Sequence, residues 1–162
     1  MRQDDLPAAL MAMDVPERRR RSSYPEPFRS RTEGRAKQPL GDAFGLRNFG
    51  VNLTTLAPGA VSALHHAHSR QDEFVYVLEG SPTLVTDAGE VELRPGAIAG
   101  FRAGGPAHHL VNRGDVPARY LEIGDRSAGD AVTYPRDDLA GTQAADGSWR
   151  FTRKDGTPHD AA

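Results

Sequence analysis

The run His65-His66-Ala67-His68-Ser69-Arg70-Gln71-Asp72-Glu73-Phe74-Val75-Tyr76-Val77-Leu78-Glu79-Gly80 decides how this chain is read. Side chains alternate along a β-strand, so on an extended segment His66 and His68 project from one face and His65 from the other. Glu73 stands past a short polar turn, Ser69 to Asp72, at the start of the next apolar run. An antiparallel return there brings its carboxylate beside the two imidazoles. The run Phe74–Leu78 is apolar on both faces, and such a strand needs a second layer over its outer face. Another strand layer, the C-terminal tail or a second copy of the chain would supply it, and a homodimer is expected.

On either side of this segment, short runs alternate with turn residues. Strands are predicted over 46–56, 62–68, 73–78, 82–86, 90–94, 97–101, 107–111 and 118–123. Between them stand Pro58-Gly59, Glu79-Gly80, Asp87-Ala88-Gly89, Pro95-Gly96, Gly104-Gly105-Pro106 and Arg113-Gly114-Asp115. Many short strands at this spacing indicate an all-β sandwich or barrel. Asp87-Ala88-Gly89 is a tight-hairpin signal, with glycine available for positive φ.

Five of the six histidines fall in two clusters, 65/66/68 and 108/109. On a strand through 108–112, His108, Leu110 and Asn112 share one face. If that face lines the barrel interior, His108 adds a third imidazole to His66, His68 and Glu73. Three nitrogens and one carboxylate suit a divalent Fe, Mn, Ni, Cu or Zn ion, one per chain. An octahedral ion with four protein ligands keeps two positions for water or substrate. The chain has no Cys, which excludes disulfides, thiolate sites and cysteine nucleophiles. His65 and His109 remain alternative ligands by adjacency.

The 17 Gly and 12 Pro among 162 residues favour a turn-rich fold over a helix bundle. Residues 1–40 carry nine Lys/Arg against six Asp/Glu, and residues 41–162 carry eleven against sixteen. The organisation expected is a flexible basic arm over 1–38, a barrel over 39–126 and a C-terminal extension over 127–162. Arg18-Arg19-Arg20-Arg21 in the arm reads as a solvated run, and no recognised DNA-reading element accompanies it. Nucleic acid and membrane are therefore not expected partners. No run approaches the roughly 20 apolar residues of a span, and the early apolar run precedes its basic cluster, the reverse of a secretory signal. A cytoplasmic protein is expected. Trp149, the single Trp, is read as stapling the tail to the barrel. There is no Gly-x-Ser-x-Gly elbow and no phosphate-binding glycine loop with Lys.

The spacing resembles the cupin superfamily. Gly59, His66-Ala67-His68, Glu73 and Gly80 follow its first motif, with one extra residue before His66. Gly96, Gly104, His108 and Asn112 follow its second, with Arg102 where proline is expected and one extra residue before His108. The resemblance is nearest to small single-domain bacterial cupins that carry the His-His-x-His-Ser-x-x-Asp-Glu-Phe-Val-Tyr-Val-Leu-Glu-Gly segment and a tail like Trp149–Gly156. It implies a jelly-roll (double-stranded β-helix) barrel, to which composition adds a disordered N-terminal arm and Trp149 a C-terminal tail packed on the barrel. It names no reaction, because the fold hosts many. Two functions are carried forward: a metal-dependent enzyme of oxygenase, isomerase or lyase type acting on a small polar metabolite, and a non-catalytic binding or sensing module whose metal is structural. Arg102, Asn112, Tyr120 and Glu122 are candidate pocket residues.

Overall fold

The computed structural model describes residues 6–18 and 22–159. Its strands are β1 (Arg35–Gln38), β2 (Phe49–Leu56), β3 (Ala67–His68), β4 (Glu73–Glu79), β5 (Thr83–Thr86), β6 (Gly89–Glu92), β7 (Ile98–Phe101), β8 (His108–Val111), β9 (Ala118–Asp125), β10 (Ala131–Thr133), β11 (Ala140–Gln143) and β12 (Trp149–Thr152). A single helical turn, α1 (Leu40–Ala43), precedes β2. Three antiparallel sheets result, with orders β1-β2-β9-β4-β7, β6-β5-β8 and β12-β11-β10-β3. This nearly all-β arrangement is the expected jelly roll. No described helix is long and apolar enough to cross a membrane.

Each of the eight expected strands has a counterpart. Thr86 pairs with Gly89, so Asp87-Ala88 forms a two-residue hairpin loop. Gly80 turns at φ +70°, where a Cβ would come within 2.8 Å of the Ala118 Cα and the Pro117 oxygen. Only glycine fits that corner.

The histidine strand is less regular than expected. The Ser62 amide donates to the Leu110 carbonyl, while His66 and His108 exchange both backbone hydrogen bonds. Three residues, Ala63, Leu64 and His65, thus stand opposite His109 alone. This three-against-one bulge absorbs the extra residue before His66 and limits the regular ladder to Ala67–His68.

Two clusters form the core. Leu56, Val75, Val77, Leu84, Leu93, Leu110 and Tyr120 pack between the five- and three-stranded sheets. Tyr24, Phe28, Leu64, Val132, Tyr134 and Leu139 form the second, against which Trp149 and Phe151 pack.

That second cluster corrects the expectation of a flexible arm over its described part. β1 pairs with β2 in register Arg35↔Leu56 through Gln38↔Leu53. Tyr24 and Phe28 are buried, and the Gln38 amide donates to the Val15 carbonyl at 2.7 Å. Of the arginine tetrad, Arg18 bonds through its amide to the Lys37 carbonyl; Arg19 to Arg21 lie outside the described residues. Polar composition concealed the ordering, because Tyr24 and Phe28 are isolated aromatics with no periodicity around them. Replacing Tyr24 by Ala removes a ring that packs edge-on to Tyr134 and Phe151. The expected cost is about 3 kcal/mol, measured as the change in chemical-denaturation midpoint. A midpoint equal to wild type would contradict a docked segment.

The C-terminal extension adds β10 to β12, which complete the sheet that contains β3. It does not cover β4. Phe74, Tyr76 and Leu78 remain 38–40% exposed, and Ile98 beside Tyr76 is 61% exposed.

Candidate metal centre

The barrel interior brings the two motifs together. His66 lies opposite His108 across the bridge between their strands, and β3 leads through the Ser69–Asp72 turn into Glu73. The Glu73 Oε2 lies 3.1 Å from His108 Nε2, 3.4 Å from His66 Nε2 and 3.7 Å from His68 Nε2. Ligand atoms at neighbouring corners of an ion with bonds of about 2.1 Å stand about 3 Å apart. The spacing therefore fits a metal shell. His66, His68 and Glu73 have ligand atoms within 4.8 Å of one another and form a group that could hold an ion.

The remaining ring nitrogens of His66 and His68 orient their rings, while His108 Nδ1 has no partner among the described residues. His66 Nδ1 donates to the Leu64 carbonyl at 2.9 Å, and His68 Nδ1 to the Asp130 Oδ2 at 2.5 Å. Each Nε2 is thereby turned toward the Glu73 carboxylate, where it donates a hydrogen bond when protonated and would offer its lone pair to an ion when not, the orientation that metal-binding histidines commonly adopt. The His108 ring stacks on Phe101, with centroids 3.4 Å apart and planes 4° from parallel.

Charge follows the same geometry. Burial pushes the Glu73 carboxyl up, but hydrogen bonds with His108 and His66 outweigh it and hold the group well below the usual carboxylate range. For His66 burial lowers the pKa, and Glu73 more than restores it, so the net shift is upward. His108 is shifted down, chiefly by burial. The centre holds a carboxylate anion at neutral pH, ready to meet a cation.

Asp130 was not anticipated. It is 1% exposed, and besides His68 it binds the Ser69 amide at 3.0 Å, the Ser69 hydroxyl at 3.0 Å and the Arg70 amide at 2.8 Å. It locks the turn that carries the chain from His68 to Glu73.

His65 and His109 face away from this centre. Their Nδ1 atoms are 3.1 Å apart, and His65 Nε2 lies 2.8 Å from Asp87 Oδ1. Of the pocket candidates, Tyr120 and Glu122 line a cavity of about 1160 Å³ that also includes His66, His68, Glu73 and His108. Arg102 lines a smaller recess beside His68 and Phe101. Asn112 does not reach the cavity. Its amide donates to the Leu56 and Val116 carbonyls, and its Oδ1 accepts from the Gly114 amide. Buried and fully bonded, it braces the end of β8. Trp149 serves as a staple within β12 and also lines the cavity near His68.

The inner wall of this jelly-roll barrel gathers three imidazoles around one carboxylate, and His66, His68 and Glu73 among them could hold a metal ion. The Cupin domain family profile matches residues 52–124. A solved protein of Silicibacter pomeroyi, described as a sugar phosphate isomerase from a cupin superfamily, is 44% identical, with a TM-score of 0.88 over 94% of this chain and 97% of its own. This chain belongs to the cupin superfamily. The tetracenomycin polyketide synthase protein TcmJ of Streptomyces glaucescens is 41% identical over 67 residues, and the match spans 43% of that protein. The polyketide cyclase RemF of Streptomyces resistomycificus, at 22% identity and a TM-score of 0.60 over 72% of this chain and 78% of its own, shares the fold.

Proposed function

We propose that this chain is a metal-dependent cupin enzyme of the isomerase type, acting on a small hydroxylated carbonyl compound such as a sugar phosphate. His66, His68, Glu73 and His108 hold one divalent ion. The observation that carries the reading is the convergence of three Nε2 atoms on one Glu73 oxygen in the wall of a metabolite-sized cavity. The isomerase assignment of the 44% identical relative supports the reaction class.

An ion held there supplies a Lewis acid for a carbonyl or hydroxyl oxygen of the substrate. The chain's own contribution is a base. Glu122 lies on β9, paired with Val75, two residues along β4 from Glu73. Its carboxylate accepts from Lys37 at 2.5 Å, Asn52 at 3.3 Å and Thr54 at 3.4 Å. Held there, it carries a proton between adjacent substrate carbons. Glu122→Gln is expected to retain the metal and lower turnover of an aldose or ketose phosphate by about 100-fold. Full turnover in this variant would remove Glu122 from the chemistry. A ligand-induced melting shift with no turnover of any such compound by wild type would make the protein a binding module.

The uncovered outer face of β4 and β7 supports a homodimer. Phe74, Tyr76, Leu78 and Ile98 of one copy would pack on the same face of another, a self-complementary two-fold contact. Tyr76→Glu is expected to convert a dimer to a monomer by light scattering with its metal content unchanged. A monomeric wild type would contradict the dimer.

A further inference from the structure

The cations along the cavity are not equivalent. Among the described residues Arg18 pairs with Asp42 at 3.5 Å, Arg29 with Glu26 at 3.9 Å and Lys37 with Glu122 at 2.5 Å. Arg35, which also lines the cavity, has no carboxylate among the ion pairs of the described residues. It donates from one nitrogen to the Ser62 carbonyl. Its remaining donors have no protein acceptor among the side-chain hydrogen bonds described. β1 holds it in place: Arg35 is opposite Leu56 and Lys37 opposite Thr54, so both basic side chains share the face that looks onto the barrel interior.

A second group beside it is also unsatisfied. Tyr120 is 1% exposed and lines the cavity, and its hydroxyl, with Thr54 and Ser62 as its nearest candidates, has no partner in full hydrogen-bond geometry. Burial pushes the phenol well above its ordinary value and the Glu122 carboxylate adds to the rise, while Arg35 pulls against it. Tyr24, which also lines the cavity, is raised by burial and opposed first by its hydrogen bond with Tyr134 and then by Arg35. A half-buried guanidinium without a counter-charge and a buried donor without an acceptor are both costly, and a single oxyanion would satisfy both.

We infer that Arg35, with the Tyr120 hydroxyl, is an anion anchor that binds the phosphoryl or carboxylate end of the substrate while its hydroxylated end faces the His66/His68/Glu73/His108 centre. The inference deepens the proposed function by naming an anionic substrate and the residues that select it. It also gives the docked N-terminal segment a functional role, because that segment supplies the guanidinium. Arginine suits the task, since its planar fork matches phosphate and carboxylate oxygens.

The test is titration calorimetry with three probes of one skeleton: a hexose 6-phosphate, the neutral hexose and the corresponding hexonate. Each is run on metal-loaded and on chelator-treated protein. Wild type is expected to bind at least one anionic probe more tightly than the neutral hexose by about tenfold or more. Arg35→Gln is expected to abolish that preference with metal content unchanged, and Arg35→Lys to restore part of it. Should Arg35→Gln fold poorly, Tyr120→Phe, which removes only an unbonded hydroxyl, is expected to weaken the anionic probe several-fold without lowering the melting temperature. Preference for the ester or for the hexonate identifies a phosphoryl or a carboxylate source, and either supports the anchor. Equal binding of charged and neutral probes by wild type, or a preference undiminished in both Arg35→Gln and Tyr120→Phe, would overturn it. Arg35-dependent anion binding that survives in protein unable to take up metal upholds the anchor while refuting the metal reading, so the two fail separately.

Discussion

Glu73→Gln is expected to lower the affinity of the purified protein for a divalent ion by at least about 100-fold, beyond the 10–100-fold typical of losing an outer partner. Glu73 supplies the only negative charge among the four donors, and its Oε2 is the atom on which the three Nε2 atoms converge. Glutamine keeps the volume and one carbonyl oxygen while the charge is lost. The carboxyl is held well below its usual range by His108 and His66, so its charge stabilises the fold at neutral pH and that contribution fades as pH falls through the depressed value. The metal-free variant is therefore expected to melt a few degrees below metal-free wild type at neutral pH, with the gap closing in acid. Metal uptake equal to wild type in competition with a chromophoric chelator would contradict Glu73 as a ligand.

Asp130→Ala is expected to cost about 3 kcal/mol of stability and, separately, to weaken metal binding by about tenfold or more. The stability loss follows from removing the buried carboxylate that accepts from the Ser69 and Arg70 amides and the Ser69 hydroxyl. The metal effect follows from freeing His68, whose Nδ1 is tied to Asp130 at 2.5 Å. Asp130→Asn separates the two consequences. Its amide oxygen accepts the backbone amides as before, so most of the stability returns. Its nitrogen cannot accept from His68 Nδ1, so the tautomer control is lost and affinity stays low. Denaturation midpoints and chelator competition on both variants check this, and an Asp130→Ala protein with wild-type values for both would contradict the role assigned to Asp130.

The barrel strands were legible because their signals are local. Turn residues such as Glu79-Gly80 and Asp87-Ala88-Gly89 bound each apolar run, and the period of two along the extended chain from His66 into β3, with β8 opposite, put His66, His68 and His108 on one face. What escaped notice depends on distant contacts. β1 reads Arg-Ala-Lys-Gln because one face lines a polar cavity, so it carries no apolar pattern. β10 to β12 are three or four residues each in a stretch rich in Asp and Gly. Asp130 follows a glycine in an unremarkable turn, and its partners lie about sixty residues upstream. The general need of metal-bound imidazoles for an outer carboxylate is the one signal that could have prompted a search for it. Asn112, by contrast, sits on the expected face yet serves the backbone, since Leu56 and Val116 carbonyls reach it before any ligand could. The bulge at Ala63–His65 shows how the longer spacing before His66 is accommodated without moving His66 out of register with His108.

Anomalous diffraction from crystals of the anaerobically purified, metal-supplemented protein tests the central claim most directly. Data collected above and below the ion's absorption edge should show one peak per chain, with Nε2 of His66, His68 and His108 and a Glu73 oxygen each about 2.0–2.3 Å away. No peak at that position, or a peak between His65 and His109 on the far side of the strands, would contradict it.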